Sequence, residues 1–253
     1  MSLLQALAVF VAGVAAGSIN AVVGSGTLIT FPVLLGIGYS PITANVSNSL
    51  GLAPGALSSA YGYRRELRGQ RSRVLRYGFG SLLGGITGAA LLFVLPASAF
   101  EKIVPAMIAL ALVLVILQPQ LGRWLDRHRH PDKRHGDGGP LTIVLGYLCG
   151  VYGGYFGAGQ GIVLLAIFGL TIDDDMHRIN GLKNVLVMIV NLIAGIVFLF
   201  VAHVAWGAVA LLAVGSAAGG QIGAKIGRRL PPTALRALIV VVGVVAIVQL
   251  LTR

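Results

Sequence analysis

Two clusters of polar side chains interrupt otherwise apolar stretches of the chain. The first cluster comprises Asn45, Ser47, Asn48 and Ser49. The second cluster comprises Asn180, Lys183 and Asn184. An offset of 135 residues places Asn45 on Asn180 and Asn48 on Lys183, so the two clusters occupy related positions. An ionisable side chain inside a membrane span costs about 2.5–3.5 kcal/mol at its centre, and Lys183 is therefore a candidate functional group.

A glycine-rich break precedes each cluster. The two breaks are Gly24-Ser25-Gly26-Thr27 and Gly157-Ala158-Gly159-Gln160-Gly161. A turn at such a break exposes backbone N–H groups at the start of the next half-helix, which carry the positive end of the helix dipole and favour an anion. The alternative is that the glycines of the two breaks only permit close helix packing. We interpret a different set of glycines, spaced four residues apart, in this way: Gly80, Gly84, Gly88, Gly215, Gly219, Gly223 and Gly227.

The polar clusters also have structural interpretations. Lys183 lies five residues after Arg178, and its ammonium group could extend toward the cytoplasmic headgroups instead of binding a ligand. The asparagines could form hydrogen bonds between helices or cap a helix end. Asn20 and Asn191, which have no partner in the other half of the chain, are interpreted as packing residues.

The elements that must position these residues are membrane-spanning helices. The chain has 253 residues, 56% of them hydrophobic and 11% charged, which excludes an ordinary soluble domain. Residues 3–35 and 77–100 contain no charge, and such runs match the roughly 20 residues that a helix needs to cross the hydrocarbon. The net charge of +11 resides mostly in short connections, where Lys and Arg set membrane orientation, so we predict no nucleic-acid partner. Cys149 is the single cysteine, which excludes an intramolecular disulfide.

The chain is an internal duplication. The offset of 135 residues produces nine identities within a window of twenty, at Gly80, Ser81, Gly84, Gly85, Gly88, Ala89, Leu95, Pro96 and Ala99. Internal repeats of this kind are typical of secondary transporters. We predict a first membrane repeat over residues 1–117, a basic cytoplasmic linker over 118–140 and a second membrane repeat over 141–253.

Each repeat contains four apolar segments. They cover residues 3–37, 42–63, 77–95 and 103–117, then 141–170, 179–202, 206–224 and 235–251. Basic residues at 64–76, 123–134 and 225–229 place those connections in the cytoplasm, which requires the first and fifth segments to start and finish on one side. Three crossings per repeat then invert the second copy. The predicted fold is an all-α, multi-pass cell-membrane protein with two inverted repeats, each one re-entrant hairpin plus three transmembrane helices.

The sequence also resembles a known family. Four segments of the first half carry the resemblance: Gly24-Ser25-Gly26-Thr27, Phe31-Pro32-Val33-Leu34, Tyr39-Ser40-Pro41 and the run from Ala44 to Ser49. Together with a weaker second copy from Gly150 to Asn184, they resemble the TauE/SafE sulfite exporter family. The resemblance covers essentially the whole chain. It implies export of small sulfur oxyanions and organosulfonates such as sulfite, thiosulfate, sulfoacetate or taurine-related compounds. The second copy departs from the family's pattern by carrying Ala158, Gln160 and Lys183.

We therefore predict a secondary exporter of a small sulfur-containing anion, with no cofactor and no metal, in contact with the lipid bilayer. The predicted substrate site lies between the two hairpin tips and comprises Gly24, Ser25, Gly26, Thr27, Asn45, Ser47, Asn48, Ser49, Gly157, Ala158, Gly159, Gln160, Asn180, Lys183 and Asn184. Every acidic residue lies in a connection or at a segment end, which favours transport driven by the membrane potential over a carboxylate proton relay.

Other functions remain open at this stage. One is an anion channel, and another is a scaffold subunit or an intramembrane enzyme with a Ser25–Lys183 nucleophile pair. A homo-oligomer is also compatible with the sequence. His128, His130 and His135 in the linker are interleaved with Arg and Lys, which repel a metal cation, so this stretch is interpreted as a solvated basic loop.

Overall fold

A computed structural model of the chain describes residues 1–128, 137–226 and 232–251, and this part of the chain is helical with no β-strand. Its helices are α1 (Leu3–Val22), α2 (Thr27–Ile37), α3 (Pro41–Gly62), α4 (Arg71–Val94), α5 (Ala97–His128), α6 (Pro140–Tyr155), α7 (Gln160–Thr171), α8 (Met176–Val201), α9 (Trp206–Ile226) and α10 (Pro232–Leu251). At least five helical stretches are long and apolar enough to cross a membrane. The prediction of an all-α polytopic membrane protein is confirmed.

The helices follow the predicted apolar segments closely, with one clear difference at α5. The sequence predicts an apolar segment over residues 103–117, whereas the helix begins at Ala97 and continues to His128. Polar and charged residues such as Gln118 and Arg123 end the apolar run but not the helix, because both residue types favour helical backbone. His130, His135 and Gly227 lie outside the described residues, and the division into two repeats and a linker remains a prediction.

The first and fifth segments are broken into two helices at glycine, as predicted. Gly24 separates α1 from α2 with a φ of +86°, and Gly157 and Gly159 separate α6 from α7 with φ values of +75° and +74°. This left-handed region is accessible to glycine because glycine has no Cβ atom. We call α1 with α2 the first hairpin and α6 with α7 the second hairpin. Whether either hairpin is re-entrant depends on a membrane position that remains a prediction, and α1 has the length and hydropathy of a full span.

The two halves pack against each other in a reciprocal pattern. Helix α1 packs on α9, and its counterpart α6 packs on α4; α3 contacts both α8 and α9, and α8 contacts both α3 and α4. Small residues allow these close approaches: a Cβ built at Gly84 would lie 2.3 Å from the Tyr147 carbonyl oxygen, and one at Gly219 would lie 2.1 Å from the Val14 carbonyl oxygen. Each half therefore buries its hairpin against the other half. Inversion of one repeat relative to the other remains a prediction.

An aromatic cluster surrounds the point where the hairpins approach. Phe31 of α2 contacts Phe156, which follows α6, with ring centroids 5.0 Å apart and nearly perpendicular planes. Phe100 of α5 packs on both Phe156 and Tyr155. Edge-to-face packing of buried rings fixes the relative orientation of the segments that carry them. The breaks in the two hairpins are thus held side by side in the protein interior.

Candidate substrate site where the two hairpins meet

The glycine breaks of the two hairpins are in direct backbone contact. The amide nitrogen of Gly161 donates a hydrogen bond to the carbonyl oxygen of Gly24 over 3.1 Å. A Cβ atom at Gly24 would lie only 2.4 Å from the Cα atom of Gly161, so a larger residue cannot enter this contact without moving backbone. The structure therefore brings together the two predicted glycine breaks, which belong to different halves of the chain.

Amide side chains from each half hold the end of the other half's first half-helix. Asn45 Nδ2 donates to the Tyr155 carbonyl at the end of α6 over 2.9 Å. Asn180 Nδ2 and Asn184 Nδ2 donate to the Ala21 carbonyl near the end of α1, over 3.0 and 3.2 Å. The last carbonyls of a helix have no partner within the helix, so these bonds satisfy groups that would otherwise be unpaired. The NH₂ groups thus serve the capping role that was the alternative to ligand binding.

The oxygen atoms of two of these amides behave differently from their NH₂ groups. Asn45 Oδ1 and Asn180 Oδ1 are both buried, and neither has a hydrogen-bond partner among the described residues. They occupy equivalent positions in the two halves. Capping explains the Nδ2 atom of each amide and gives the Oδ1 atom no structural role.

Lys183 is completely buried, with 0% of its surface exposed. Its Nζ atom donates a hydrogen bond to the Asn20 carbonyl oxygen over 2.8 Å, at the end of the first half-helix of the first hairpin. The interpretation that Lys183 extends toward the headgroups is therefore wrong, because the side chain points into the hairpin contact. No carboxylate in the described part of the chain lies within ion-pair distance of it. A buried ammonium group without a counter-ion is costly, and an anion would reduce that cost.

Asn48 is the position equivalent to Lys183, and its bonds remain within the first half. Asn48 Nδ2 donates to Thr27 Oγ1 over 3.2 Å, and Asn48 Oδ1 accepts a bond from Thr30 Oγ1. Asn48 therefore fixes the start of α2 against α3 with neutral groups. The same position in the other half supplies a charge.

The two serines of the first cluster have structural bonds. Ser47 Oγ accepts a hydrogen bond from the Ala205 amide over 3.0 Å, just before α9. Ser49 Oγ donates to the Asn45 carbonyl one turn earlier on the same helix, over 3.0 Å. Both hydroxyls are buried but directed to backbone groups. Of the first cluster, Asn45 and Asn48 form side-chain hydrogen bonds to residues of the hairpins.

Each hairpin tip carries a buried polar atom without a partner. Ser25 Oγ in the first tip and Gln160 Nε2 in the second are both buried and unpaired among the described residues. Ser25 is 1% exposed and Gln160 is 2% exposed. The Gln160 amide lies beside Gly153 of α6. Because most buried polar atoms in proteins are hydrogen-bonded, the two unpaired donors are candidates for ligand binding. Ser25 Oγ forms no bond to Lys183, which argues against the serine–lysine nucleophile pair.

Asn20, which was interpreted as a packing residue, contributes to the first tip. Its side-chain oxygen accepts a hydrogen bond of 2.6 Å from the Gly26 amide, which stabilises the turn of the first tip. Its backbone carbonyl is the group that binds Lys183. The available signal was its location, since Asn20 is a polar residue in an apolar segment four residues before Gly24. Tyr152 has a related role in the second tip, where its hydroxyl donates to the Ala158 carbonyl.

An ion cluster lies at the opposite end of the second hairpin and was not predicted. It consists of Arg73 on α4, Asp137 before α6, Asp174 after α7 and Arg178 on α8. Arg73 pairs with Asp137 at 2.7 Å and also with Asp174, which pairs with Arg178 at 2.8 Å. Burial alone would raise the pKa of Asp174, but hydrogen bonds from Arg178 and Arg73 outweigh burial and lower that pKa below its ordinary value. We call these four residues the ion cluster.

Known proteins match the chain over nearly its full length. The model of the family described as sulfite exporter TauE/SafE matches residues 9–250. A probable membrane transporter protein of Escherichia coli, YfcA, is 26% identical over 243 residues, which is 96% of this chain and 88% of that protein. A probable membrane transporter protein of Sinorhizobium, ORF9, is 26% identical over 96% of this chain and 90% of its own length. A probable membrane transporter protein of Haemophilus influenzae is 25% identical over 92% of this chain and 89% of its own length.

Proposed function

The chain belongs to the TauE/SafE sulfite exporter family of cell-membrane transporters, and from this premise we propose that it exports a small sulfur-containing anion. The substrate class is sulfite, thiosulfate or an organosulfonate such as sulfoacetate. The proposed binding site lies at the contact of the two hairpin tips, and the protein acts as a transporter and not as an enzyme.

The buried ammonium group of Lys183 is the observation that carries the proposal. It is fully buried, it has no acidic partner in the described part of the chain, and one of its three donors is used by the Asn20 carbonyl. Ser25 Oγ and Gln160 Nε2 supply further unpaired donors from the two tips. Sulfite, thiosulfate and sulfonates present several oxygen acceptors around one centre, so they can accept bonds from more than one direction.

The contact between the tips supports a transporter over an open channel. Gly24 and Gly161 meet through their backbones, and the side chains of Ser25, Gln160 and Lys183 are buried. An anion can reach these groups only if the hairpins move apart on one side. Movement of two related halves around a central site is the usual basis of alternating access in transporters with internal repeats.

Export can be driven by the membrane potential alone. The acidic residues of the sequence lie in connections or at segment ends, so the hairpin contact has no carboxylate to carry a proton. A potential that is negative inside drives an anion outward by about 2.3 kcal/mol per charge for each 100 mV. We therefore expect electrogenic export, with Lys183 neutralising the charge of the bound anion.

Flux in proteoliposomes tests the proposal. The purified protein is reconstituted, a potential is imposed with K⁺ and valinomycin, and movement of sulfite, thiosulfate, sulfoacetate and acetate is followed without a pH or Na⁺ gradient. We expect saturable movement of the sulfur anions toward the positive side and little movement of acetate. Flux that rises linearly with concentration would indicate a channel instead. Dependence on a proton or sodium gradient, with no response to the potential, would overturn electrogenic export.

A further inference from the structure

A basic cavity outside the hairpin contact lies between the end of α3 and the end of α9. Its volume is about 350 Å³, and its lining includes Arg64, Arg65 and Lys225 together with Glu66 and Gln221. Three basic side chains and one acidic side chain line it, so positive charge remains in excess even if Glu66 neutralises one of them. A cavity of this size lies within the range that binds small molecules and headgroups.

The cavity is located at the boundary of the membrane. Lys225 ends a helical stretch that is long and apolar enough to span a membrane, and Arg64 follows the end of α3 by two residues. Near the same end of α3, the side chains of Leu57 and Tyr61 are exposed, at 58% and 61%. Tyrosine is enriched where the hydrocarbon meets the headgroups. These features favour a location of the cavity near the membrane boundary, where phosphate groups of lipids are found.

Arg64 is positioned by aromatic contact at this boundary. Its guanidinium carbon lies 4.6 Å from the centroid of the Tyr61 ring, and its Nη1 atom donates to the Tyr61 carbonyl over 3.3 Å. A cation–π contact limits the orientations of a guanidinium group while leaving other N–H donors available. On the opposite wall, Gln221 Nε2 donates to the Ser58 carbonyl over 2.7 Å and fixes α9 against α3.

The charges of the cavity are not required by the fold. The offset of 135 residues places Arg64 on Leu199, Arg65 on Phe200 and Lys225 on Ala90. These three positions of the other half are thus uncharged, although the corresponding helices α8 and α4 pack together there as α3 and α9 do. A basic cavity confined to one end, the end where the sequence places most Lys and Arg, serves a purpose other than helix packing.

We propose that this cavity binds the phosphate group of an anionic membrane lipid, such as phosphatidylglycerol or cardiolipin. Basic pockets between helices on the cytoplasmic side are suited to such headgroups. Arg64, Arg65 and Lys225 contact the phosphate, and the exposed surface at Leu57 and Tyr61 contacts the acyl chains. The lipid links the ends of α3 and α9, which belong to different halves, and this site is independent of the transported anion.

Thermal unfolding of the purified full-length chain in detergent tests the proposal. Phosphatidylglycerol, cardiolipin, phosphatidylcholine and inorganic phosphate are titrated separately into the unaltered protein and into an Arg65→Gln, Lys225→Gln double variant. Each basic contact with an anionic headgroup strengthens binding by about fivefold, so we expect the double variant to bind phosphatidylglycerol about 25-fold more weakly. An Arg68→Gln, Arg71→Gln double variant removes the same charge on the same side but outside the cavity lining, and it should bind the lipid as the unaltered protein does.

Each outcome decides the proposal. A rise in the unfolding temperature with phosphatidylglycerol or cardiolipin, but not with phosphatidylcholine, that is lost only in the cavity variant supports it. Equal stabilisation of the cavity and control variants overturns it, since the lipid effect would then not depend on the cavity residues. If inorganic phosphate at equal concentration stabilises the protein as strongly as the lipids do, the site takes a soluble anion and the lipid is the wrong ligand.

Discussion

The two hairpins share their construction and differ in two features. In both, a glycine with positive φ separates two half-helices, and an asparagine from the other half bonds a carbonyl at the end of the first half-helix. They differ at the equivalent positions 48 and 183, where Asn48 bonds two threonines and Lys183 brings a charge to the hairpin contact. The shared contacts are those that a broken segment needs in order to fold. The differences distinguish the two halves at equivalent positions.

The second difference concerns the ends of the hairpins far from the tips. The second hairpin is fastened there by the ion cluster, which joins the residues before α6 and after α7 to α4 and α8. The first hairpin begins and ends with neutral caps, where Ser2 bonds the Gln5 amide and Ser40 bonds the Thr43 amide. Charge-assisted bonds are stronger than neutral ones, so we expect the first hairpin to move more readily than the second.

The largest effect is expected from Gly24→Ala, which breaks the contact that both hairpins share. The new Cβ would lie 2.4 Å from Gly161 Cα, and the residue has a φ of +86°. Overpacking and left-handed backbone together cost about 3–4 kcal/mol of unfolding free energy. Gly38→Ala is the matched control, because Gly38 has a φ of +106° but no atom within 4 Å of its Cβ position. Chemical unfolding in detergent should show a loss in Gly24→Ala about twice that in Gly38→Ala, and equal losses would contradict the close contact.

Lys183→Asn removes the difference between the two halves and tests the anion site. The substitution recreates the residue found at position 48, so a side chain that the fold already tolerates replaces the ammonium group. Loss of a charged donor to a bound anion costs about 2–3 kcal/mol, which corresponds to a roughly 30- to 150-fold weaker affinity. Binding of sulfite, thiosulfate and sulfoacetate is measured by calorimetry, with Lys102→Asn on exposed surface as the control. Unchanged affinity would leave Lys183 with a structural role only.

Unequal effects are expected from the two capping asparagines. In Asn45→Ala the Tyr155 carbonyl loses its bond from the first cluster, whereas in Asn180→Ala the Ala21 carbonyl keeps the bond from Asn184. An unpaired buried carbonyl costs about 1–3 kcal/mol, so we expect about 2 kcal/mol for Asn45→Ala and under about 1 kcal/mol for Asn180→Ala. Unfolding free energies of the two variants and of the Asn180→Ala, Asn184→Ala double variant check this. A double variant no less stable than Asn180→Ala would show that Asn184 does not share the cap.

The sequence predicted features that follow local rules and missed those that depend on packing between distant segments. Apolar length predicted the helices, and glycine pairs predicted the breaks, because both depend on backbone and solvent preferences of neighbouring residues. The burial of Lys183 could not be read from its spacing, since its distance from Arg178 also suited a side chain extended to the headgroups. Its location depends on contact with Asn20, 163 residues away.

The ion cluster was missed for the same reason. Asp174 lies in a connection, where an acidic residue carries little information about topology. Its partner Arg73 lies 101 residues earlier, and only the packing of α4 beside the second hairpin brings the two together. Charge patterns along the chain predict an orientation in the membrane, whereas the pairing of those charges required the three-dimensional structure.

A small effect is expected from Asp174→Asn, which makes the end of the second hairpin neutral like that of the first. Asp174 bonds Arg73 and Arg178 and is 15% exposed, so loss of its charge should cost about 1 kcal/mol of unfolding free energy at neutral pH.

The pH dependence identifies the source of that loss. Because the folded protein holds the pKa of Asp174 below its ordinary value of 3.8, the carboxylate stabilises the fold fully above pH 3.8, and this contribution falls as the pH drops through the lowered pKa. The difference between Asp174→Asn and the unaltered protein should stay constant from pH 7 to about pH 5 and shrink below about pH 4. Asp173→Asn, at an exposed neighbour, is the control and should cause no measurable loss at neutral pH. If the difference in unfolding free energy persisted unchanged at pH 3, the Asp174 side chain would act through packing. Charge would then not explain a difference in stability between the two hairpin ends.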